Sequence, residues 1–363
     1  MSEALRIKPD TQFVGEVMDE GGADLNKCYQ CATCSSVCEL SPENAPFPRK
    51  QMILAQWGMK EKLLGDPAIW LCHNCGDCTT YCPRGAKPGE VFGALRNQAI
   101  QFFAFPRFVG KIVANPKLWP LLYAFCGIIL GILALAAPRE TGTEKLVFGN
   151  LFEPHVLEYF FFTVSGLVVI AFLGGFLKFM KAMKASGANG NLFAGLIPAI
   201  VEIMAHSRFG KCKDESLRHW GHFLTLWGFV WLATVSTIEG FMMMFGSLTT
   251  PLPMTHPIKI FGNAGAVIIL IGCLMLLGGR LSNADKKASS TYFDWFFIWT
   301  LTGIVATGIL SEFLRLAQVG WLMFSIYFIH LILVFSLFLF APYTKFAHLV
   351  YRTVAMAVSG GKK

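Results

Sequence analysis

Eight of the eleven cysteines stand in two groups of identical spacing. Cys28, Cys31, Cys34 and Cys38 form the first, and Cys72, Cys75, Cys78 and Cys82, followed by Pro83, form the second. In this Cys-x2-Cys-x2-Cys-x3-Cys pattern, three thiolates from one loop wrap a [4Fe–4S] cube and the fourth reaches the neighbouring cube. The spacing therefore predicts Cys28, Cys31, Cys34 and Cys82 on one cluster, with Cys72, Cys75, Cys78 and Cys38 on the other. Structural zinc suits the pattern poorly, because zinc sites use paired Cys-x2-Cys units separated by a spacer. Grouped cysteines in a reducing compartment argue for metal over disulfides. Cys126, Cys212 and Cys273 lack metal spacing and read as unligated.

Imidazoles supply the second set of candidates. Of eight histidines, His222 and His330 fall inside long apolar stretches and His348 lies just beyond one. An ionisable side chain in a membrane span is costly to insert, so it is a functional candidate by default. Histidine is also an axial ligand of haem iron. His330 and His348 are 18 residues apart, five helical turns, which puts them nominally on one face about 27 Å apart, with Pro342 expected to kink the helix between them. His222 and His348 are expected at the same end of the membrane, where a bis-histidine haem b would sit nearest the cysteine groups. A second haem on His330 needs a further ligand, for which His256 and His155 are the candidates. His219, three residues before His222, is an alternative ligand. Arg218, Lys213 and Lys345 are candidate partners for haem propionates, or simply basic loop residues. Glu239, Lys259, Glu312 and Arg315 are candidate proton-handling groups, or ordinary interfacial charges.

These residues need two kinds of scaffold. The chain has 363 residues, is 54% hydrophobic and only 15% charged, with mean hydropathy +0.51, whereas soluble domains carry about 25% charged residues. Residues 1–117 are mixed and polar, while 118–345 hold long apolar runs. A helix needs about 20 apolar residues to cross the hydrocarbon core. Six stretches qualify: 118–137, 157–177, 220–245, 260–279, 293–311 and 320–342. The fifth is weakest, opening at Asp294 and followed by Glu312 and Arg315. The run 192–205 is too short to span and reads as an interfacial or re-entrant helix. The segment 92–117 mixes aromatics with Arg96, Arg107, Lys111 and Lys117, as a helix lying at the headgroup level would. The expected fold is all-α, with a cluster domain over 1–110 and a six-helix membrane domain over 111–363.

Lysine and arginine bias orients the spans. Lys178, Lys181, Lys184, Arg208, Lys211, Lys213 and Arg218 follow the second stretch; Arg280, Lys286 and Lys287 follow the fourth; Lys345, Arg352, Lys362 and Lys363 follow the sixth. The opposite loops hold little beyond Arg139, Lys145 and Lys259. Both termini and the cysteine-bearing head are therefore expected in the cytoplasm, and the N-terminus shows no apolar secretory segment. The net charge of +8 is accounted for by these loops, without a nucleic-acid partner.

The segments CYQCATCSSVC with FPRK, and IWLCHNCGDCTTYCPRG with ALRNQA, resemble the C subunits of heterodisulfide reductases. They are also similar to the helical ferredoxin domain of succinate dehydrogenase iron–sulfur subunits. The likeness covers roughly residues 20–105 and departs at Glu39, where many such motifs have proline. Residues 150–355, through RHWGHFLTLWGF and the run from His330 through Pro342 to His348, resemble the cytochrome b family of nitrate reductase gamma subunits and heterodisulfide reductase E subunits. That resemblance implies haem b held by His222 and His348. The second histidine that gamma subunits carry ten residues after the first is replaced here by Leu232. A head and cytochrome fused in this order are similar to the C subunits of quinone-interacting membrane-bound oxidoreductases (Qmo) of sulfate reducers. The similarity implies menaquinone as substrate, two soluble flavin and iron–sulfur subunits as partners, and adenylylsulfate reductase beyond them. No adjacent cysteine pair, Gly-rich dinucleotide fingerprint or nucleophile–base set stands out, so substrate chemistry is expected in those partners. A different class of function stays open: a membrane anchor or redox-sensing recruitment component of another heterodisulfide-reductase-like complex.

Overall fold

The computed structural model describes residues 8–142, 144–209, 216–246, 248, 250–284 and 290–360. Lys211, Cys212, Lys213, Lys286, Lys287, Lys362 and Lys363 lie outside them. Regular structure among the described residues is entirely helical. Short helices build the head: α1 (Thr11–Val17), α2 (Thr33–Ser36), α3 (Arg49–Gln56), α4 (Lys60–Leu64), α5 (Ala68–Leu71) and α6 (Asp77–Thr80) surround α7 (Pro88–Phe103). Pro88 starts α7 at the position where its missing N–H costs nothing. Val91, Phe92, Leu95, Ala99, Ile100 and Phe103 of α7 are buried with Phe13, Met52 and Trp70.

The segment 92–117 is thus not one helix on the headgroups. Its first half is the central helix of the head. The chain then breaks at Ala104–Pro106, because the residue before a proline is pushed out of the helical region, and α8 (Arg107–Val113) follows. Phe108 and Ile112 of α8 are exposed beside Arg107 and Lys111, so only this half has the composition of an interfacial segment.

Six longer helices are apolar enough to cross a membrane. They are α9 (Trp119–Ala136), α10 (Pro154–Ala185), then, after the short α11 (Leu192–Ala205), α12 (Ser216–Met244), α13 (Pro257–Leu281), α14 (Tyr292–Leu316) and α15 (Gly320–Phe340). The fifth stretch is a full 25-residue helix. Asp294, read as its weakness, is instead the third residue of its N-terminal capping box, accepting hydrogen bonds from the backbone and hydroxyl of the cap residue Thr291. The chain is a multi-pass membrane protein with a cysteine-bearing head.

Glycines let α12 and α13 lie close. Side chains at Gly221 and Gly228 would meet Leu276 and Ile269, and one at Gly272 would meet the Thr225 backbone. Small residues at such spacing replace the hydrophobic drive that lipid removes. One core joins α9, α10 and α15 around Cys126, Leu130, Leu331 and Phe335, and another joins α13, α14 and α15 around Ile269, Cys273 and Leu301. Cys126 and Cys273 are simply buried there.

Pro342 does more than kink the last helix. α15 ends at Phe340, two 3-10 turns follow, Thr344 is extended, and a new helix, α16 (His348–Gly360), starts at His348. The five-turn face shared by His330 and His348 therefore does not exist. α16 turns back onto the head, where Tyr351 packs on Trp70 at 5.3 Å and Phe103 packs on Phe179 of α10 at 5.2 Å. Burying an aromatic of this size contributes about 1.5–3 kcal/mol, and here the residues come from both sides of position 110.

Candidate functional site: two cysteine cradles and a histidine cluster

The two cysteine loops have the same backbone. Gln30 and Ala32 in the first, and Asn74 and Gly76 in the second, take left-handed conformations at equivalent positions. This curls each loop so that its three cysteines point inward, and the left-handed residue then starts a four-residue helix, α2 or α6. Cys28, Cys31, Cys34 and Cys82 line one cradle, and Cys38, Cys72, Cys75 and Cys78 line the other. Each fourth cysteine crosses over. N–H donors already face sulfur: Asn74 N to Cys72 Sγ at 3.3 Å, Ala86 N to Cys82 Sγ at 3.4 Å and Gln30 Nε2 to Cys28 Sγ at 3.3 Å. Such donors stabilise thiolate charge in cluster sites. Burial pushes the Cys34 and Cys38 thiols up to about 11, so binding iron as thiolates displaces protons. Among the described residues, no three such side chains converge on a single ion. Four thiolates around a cube stand wider apart, since each meets a different iron. The donor set fits two [4Fe–4S] clusters.

The second cradle faces the membrane helices. Arg218, at the start of α12, donates from Nη2 to His73 O at 2.5 Å and from Nη1 to Asn74 O at 2.8 Å. Arg96 donates to Cys72 O at 3.2 Å, and Arg352 of α16 approaches the same oxygen at 3.5 Å. Hydrogen bonds from a charged donor contribute about 1.5–3 kcal/mol each. Arg218→Ala is therefore expected to loosen the Cys72–Cys78 loop, speeding loss of the second cluster to an iron chelator at least tenfold while the first cluster keeps its rate. Iron release followed by absorbance measures both.

Four imidazoles gather beside this contact. His222 and His348 face each other with ring centres 6.4 Å apart and planes at 77°. Two metal–nitrogen bonds of about 2 Å and two imidazole half-widths add to roughly this span. His348 Nδ1 lies 2.6 Å from Lys345 O, and His222 Nδ1 lies 2.8 Å from His206 Nε2. Both rings thus engage Nδ1 and leave Nε2 for a metal, the arrangement of an oriented metal ligand. Burial holds His348 down to about 4, so the ring is neutral, as ligation requires. His219 is stacked on Phe209 at 5.5 Å and on His206 at 6.1 Å.

The charges around them call for an anion. Arg352 Nη2 and both ring nitrogens of His73 are buried without hydrogen-bond partners. Burial first, then Arg96 and Arg208, push the Arg352 guanidinium down to about 9. Burial and Arg352, Arg218, Arg208 and Arg96 hold His73 far below its usual value. Guanidinium does not deprotonate in proteins, so this collar retains positive charge. Haem propionates or an anionic cluster are the counter-charges that fit. Lys345 is already paired with Asp294, and Lys213 lies outside the described residues.

The remaining candidates lie apart from this cluster. His330 Nδ1 contacts Ile304 O at 2.9 Å, and among the described residues no other imidazole packs on it. His256 caps the start of α13 with Nδ1 buried and unpartnered, and His155 pairs with Glu158 at 3.1 Å. Glu312 pairs with Lys259 at 3.0 Å and Arg315 at 2.8 Å. Sequence reasoning gave no role to His73, His206 or Phe209, and read Arg352 only as a basic residue that orients the spans. His73 sits inside the second cysteine motif, which was the available signal. His206 directly follows the short apolar run, yet nothing local links it to His222.

The 4Fe-4S dicluster domain family matches residues 24–86. The C subunit of the H2:CoB-CoM heterodisulfide,ferredoxin reductase of Methanothermobacter thermautotrophicus is 36% identical over 91 residues, covering 25% of this chain and 49% of that protein. A protein of Archaeoglobus profundus, itself described as like heterodisulfide reductase C subunits, is 38% identical over 93 residues, covering 25% of this chain and 50% of its own length. The chain thus spans about half the length of these relatives. Citrate utilization protein B of Escherichia coli is similar along nearly everything, 23% identical over 94% of this chain and 92% of that one. No solved structure matches. The head carries two [4Fe–4S] clusters, and the chain is an iron–sulfur electron-transfer protein related to heterodisulfide reductase C subunits, joined to a helical membrane region.

Proposed function

We propose that this chain is the membrane component of a quinone-linked oxidoreductase, exchanging electrons between menaquinone and soluble flavin and iron–sulfur subunits. Cys28, Cys31, Cys34 and Cys82 hold one cluster; Cys72, Cys75, Cys78 and Cys38 hold the other; His222 and His348 hold haem b. When bound, these groups supply one-electron carriers. The observation that carries the reading is Arg218. One helical turn before His222, it donates to two carbonyls of the cysteine loop at His73 and Asn74, so one side chain links the two cofactor sites. The basic ends of the helices lie on the head side, where Lys178 donates to Ala104 O at 2.9 Å, which supports a cytoplasmic head and cytoplasmic termini in the inner membrane.

Fusion of these two parts in this order supports a C subunit of the Qmo type in sulfate respiration, with adenylylsulfate reductase as the partner enzyme. The Escherichia coli relative supports a second reading, in which the same kind of chain serves a citrate utilization system. A second haem would use His330 with His256. Two haems per chain in a pyridine haemochrome assay, falling to one in His330→Ala and in His256→Ala, is the result that assigns them.

Reduction of the purified chain by a menaquinol analogue, read at the haem Soret and α bands, tests the function. Reduction of most of the haem within seconds is expected. Full haem content without reduction by quinol would leave the anchor or recruitment reading in its place.

A further inference from the structure

α11 does not span, yet one of its faces is packed, with Gly195 and Ala199 buried. It runs against α16, where side chains at Gly190 and Gly195 would strike the carbonyls of Val358 and Ala357. The contact is antiparallel, so the C-terminal end of α11 arrives at His348, the first residue of α16. Trp227 of α12 donates to Met204 O at 3.2 Å and ties that same end to α12. Two helices thus fix where α11 stops, and the residue that stops it is His206.

His206 is 4% exposed and takes a left-handed conformation, φ 53°. This is a backbone region that few residues other than glycine occupy, histidine among them. The conformation turns the ring back over α12, where Nε2 meets His222 Nδ1 at 2.8 Å. Phe209 fixes the ring from its other side, stacked at 5.4 Å and 25°. His206 Nδ1 lies 3.5 Å from Met204 O. With His222 ligating through Nε2, one proton arrangement follows. His206 carries its proton on Nδ1, facing Met204 O, and Nε2 accepts from His222 Nδ1–H. The lone pair of His222 is then on Nε2, the nitrogen turned toward His348.

Resting on the assignment of His222 and His348 as haem ligands, we infer that His206 is the positioning residue of His222, holding its tautomer and ring orientation and raising its basicity as a ligand. A ligating histidine ordinarily donates its second N–H to a carboxylate, carbonyl or water, and losing that partner costs 10–100-fold in metal affinity. A more basic ligand favours ferric over ferrous iron. The two imidazoles that would hold the haem are therefore unequal, His348 braced by the Lys345 carbonyl and His222 by an imidazole delivered from a helix that does not span.

His206→Leu keeps the bulk and removes the acceptor, and His206→Gln returns an acceptor at similar reach. His206→Leu is expected to retain low-spin haem that is lost 10–100-fold faster to apomyoglobin. Its midpoint should rise by about 60 mV for each tenfold loss of ferric preference, with a shifted low-spin ferric EPR signal. His206→Gln is expected to recover most of both changes, and cluster content stays that of the parent chain. An unchanged potential and haem-loss rate in His206→Leu overturn the positioning role while leaving the haem assignment standing. Complete loss of the low-spin signal in His206→Leu, with retention in His222→Ala, overturns it in favour of His206 as the ligand itself. A parent chain without haem overturns both.

Discussion

Cys82→Ala is expected to remove half of the iron and labile sulfide, and the half that goes is the cluster of the first cysteine group. Cys82 belongs to the second group in sequence, yet it lines the cradle of Cys28, Cys31 and Cys34. Loss of one of four thiolates from a [4Fe–4S] site opens a corner to solvent, and the first cradle already has Cys31 exposed. The second cradle keeps Cys38, Cys72, Cys75 and Cys78, and its surroundings are drier, with Leu40, Phe47 and Phe92 in its wall. The EPR spectrum of dithionite-reduced Cys82→Ala should therefore match that of Cys31→Ala and differ from that of Cys75→Ala. Cys38→Ala should behave in the opposite sense. A Cys82→Ala spectrum matching Cys75→Ala would show that each group keeps its own fourth ligand.

His348→Ala is expected to abolish haem binding while iron and sulfide stay at parental levels. The side chain contributes one of two facing imidazoles; beside it Lys345 is engaged with Asp294, Arg352 cannot ligate, and His206 is already bonded to His222 at 2.8 Å. Structural disturbance should be small, because His348 begins α16 and the core contacts of that helix, Tyr351, Val354 and Ala357, lie further along. A pyridine haemochrome assay beside an iron determination on the same preparation measures both quantities. An unchanged haem yield would sink the ligand assignment; equal loss of haem and iron would trace the effect to folding instead.

Local rules carried much of this protein. A cysteine spacing is a property of one loop, and the repeat of that spacing was enough to expect a crossed sharing of the fourth cysteines, whereas the side chains that line each cradle are gathered by packing. Span length is likewise local, since bilayer thickness sets the number of apolar residues required, and six stretches became six helices with ends shifted by up to eight residues. Where two effects competed at one position, local reading was less complete. Asp294 read as a charge opposing insertion because hydropathy scores it so, while its capping of α14 needs the Thr291 backbone geometry. The mixed segment 92–117 read as interfacial because aromatics beside basic residues suit both a headgroup and a buried helix, and only packing separates the two.

What composition, spacing and periodicity determined is therefore the all-helical class, the eight thiolates, the membrane region and the short list of imidazoles. Tertiary structure alone decided which imidazoles meet. His206, His222 and His348 sit on three helices separated by 16 and 126 positions, and no periodicity relates them. Their meeting depends on the antiparallel contact of α11 with α16, on the chain reversal at Pro342, and on Arg218 reaching the second cysteine loop. Those are long-range contacts, whose geometry depends on the shapes of partners remote in the chain, so no window of sequence contains them.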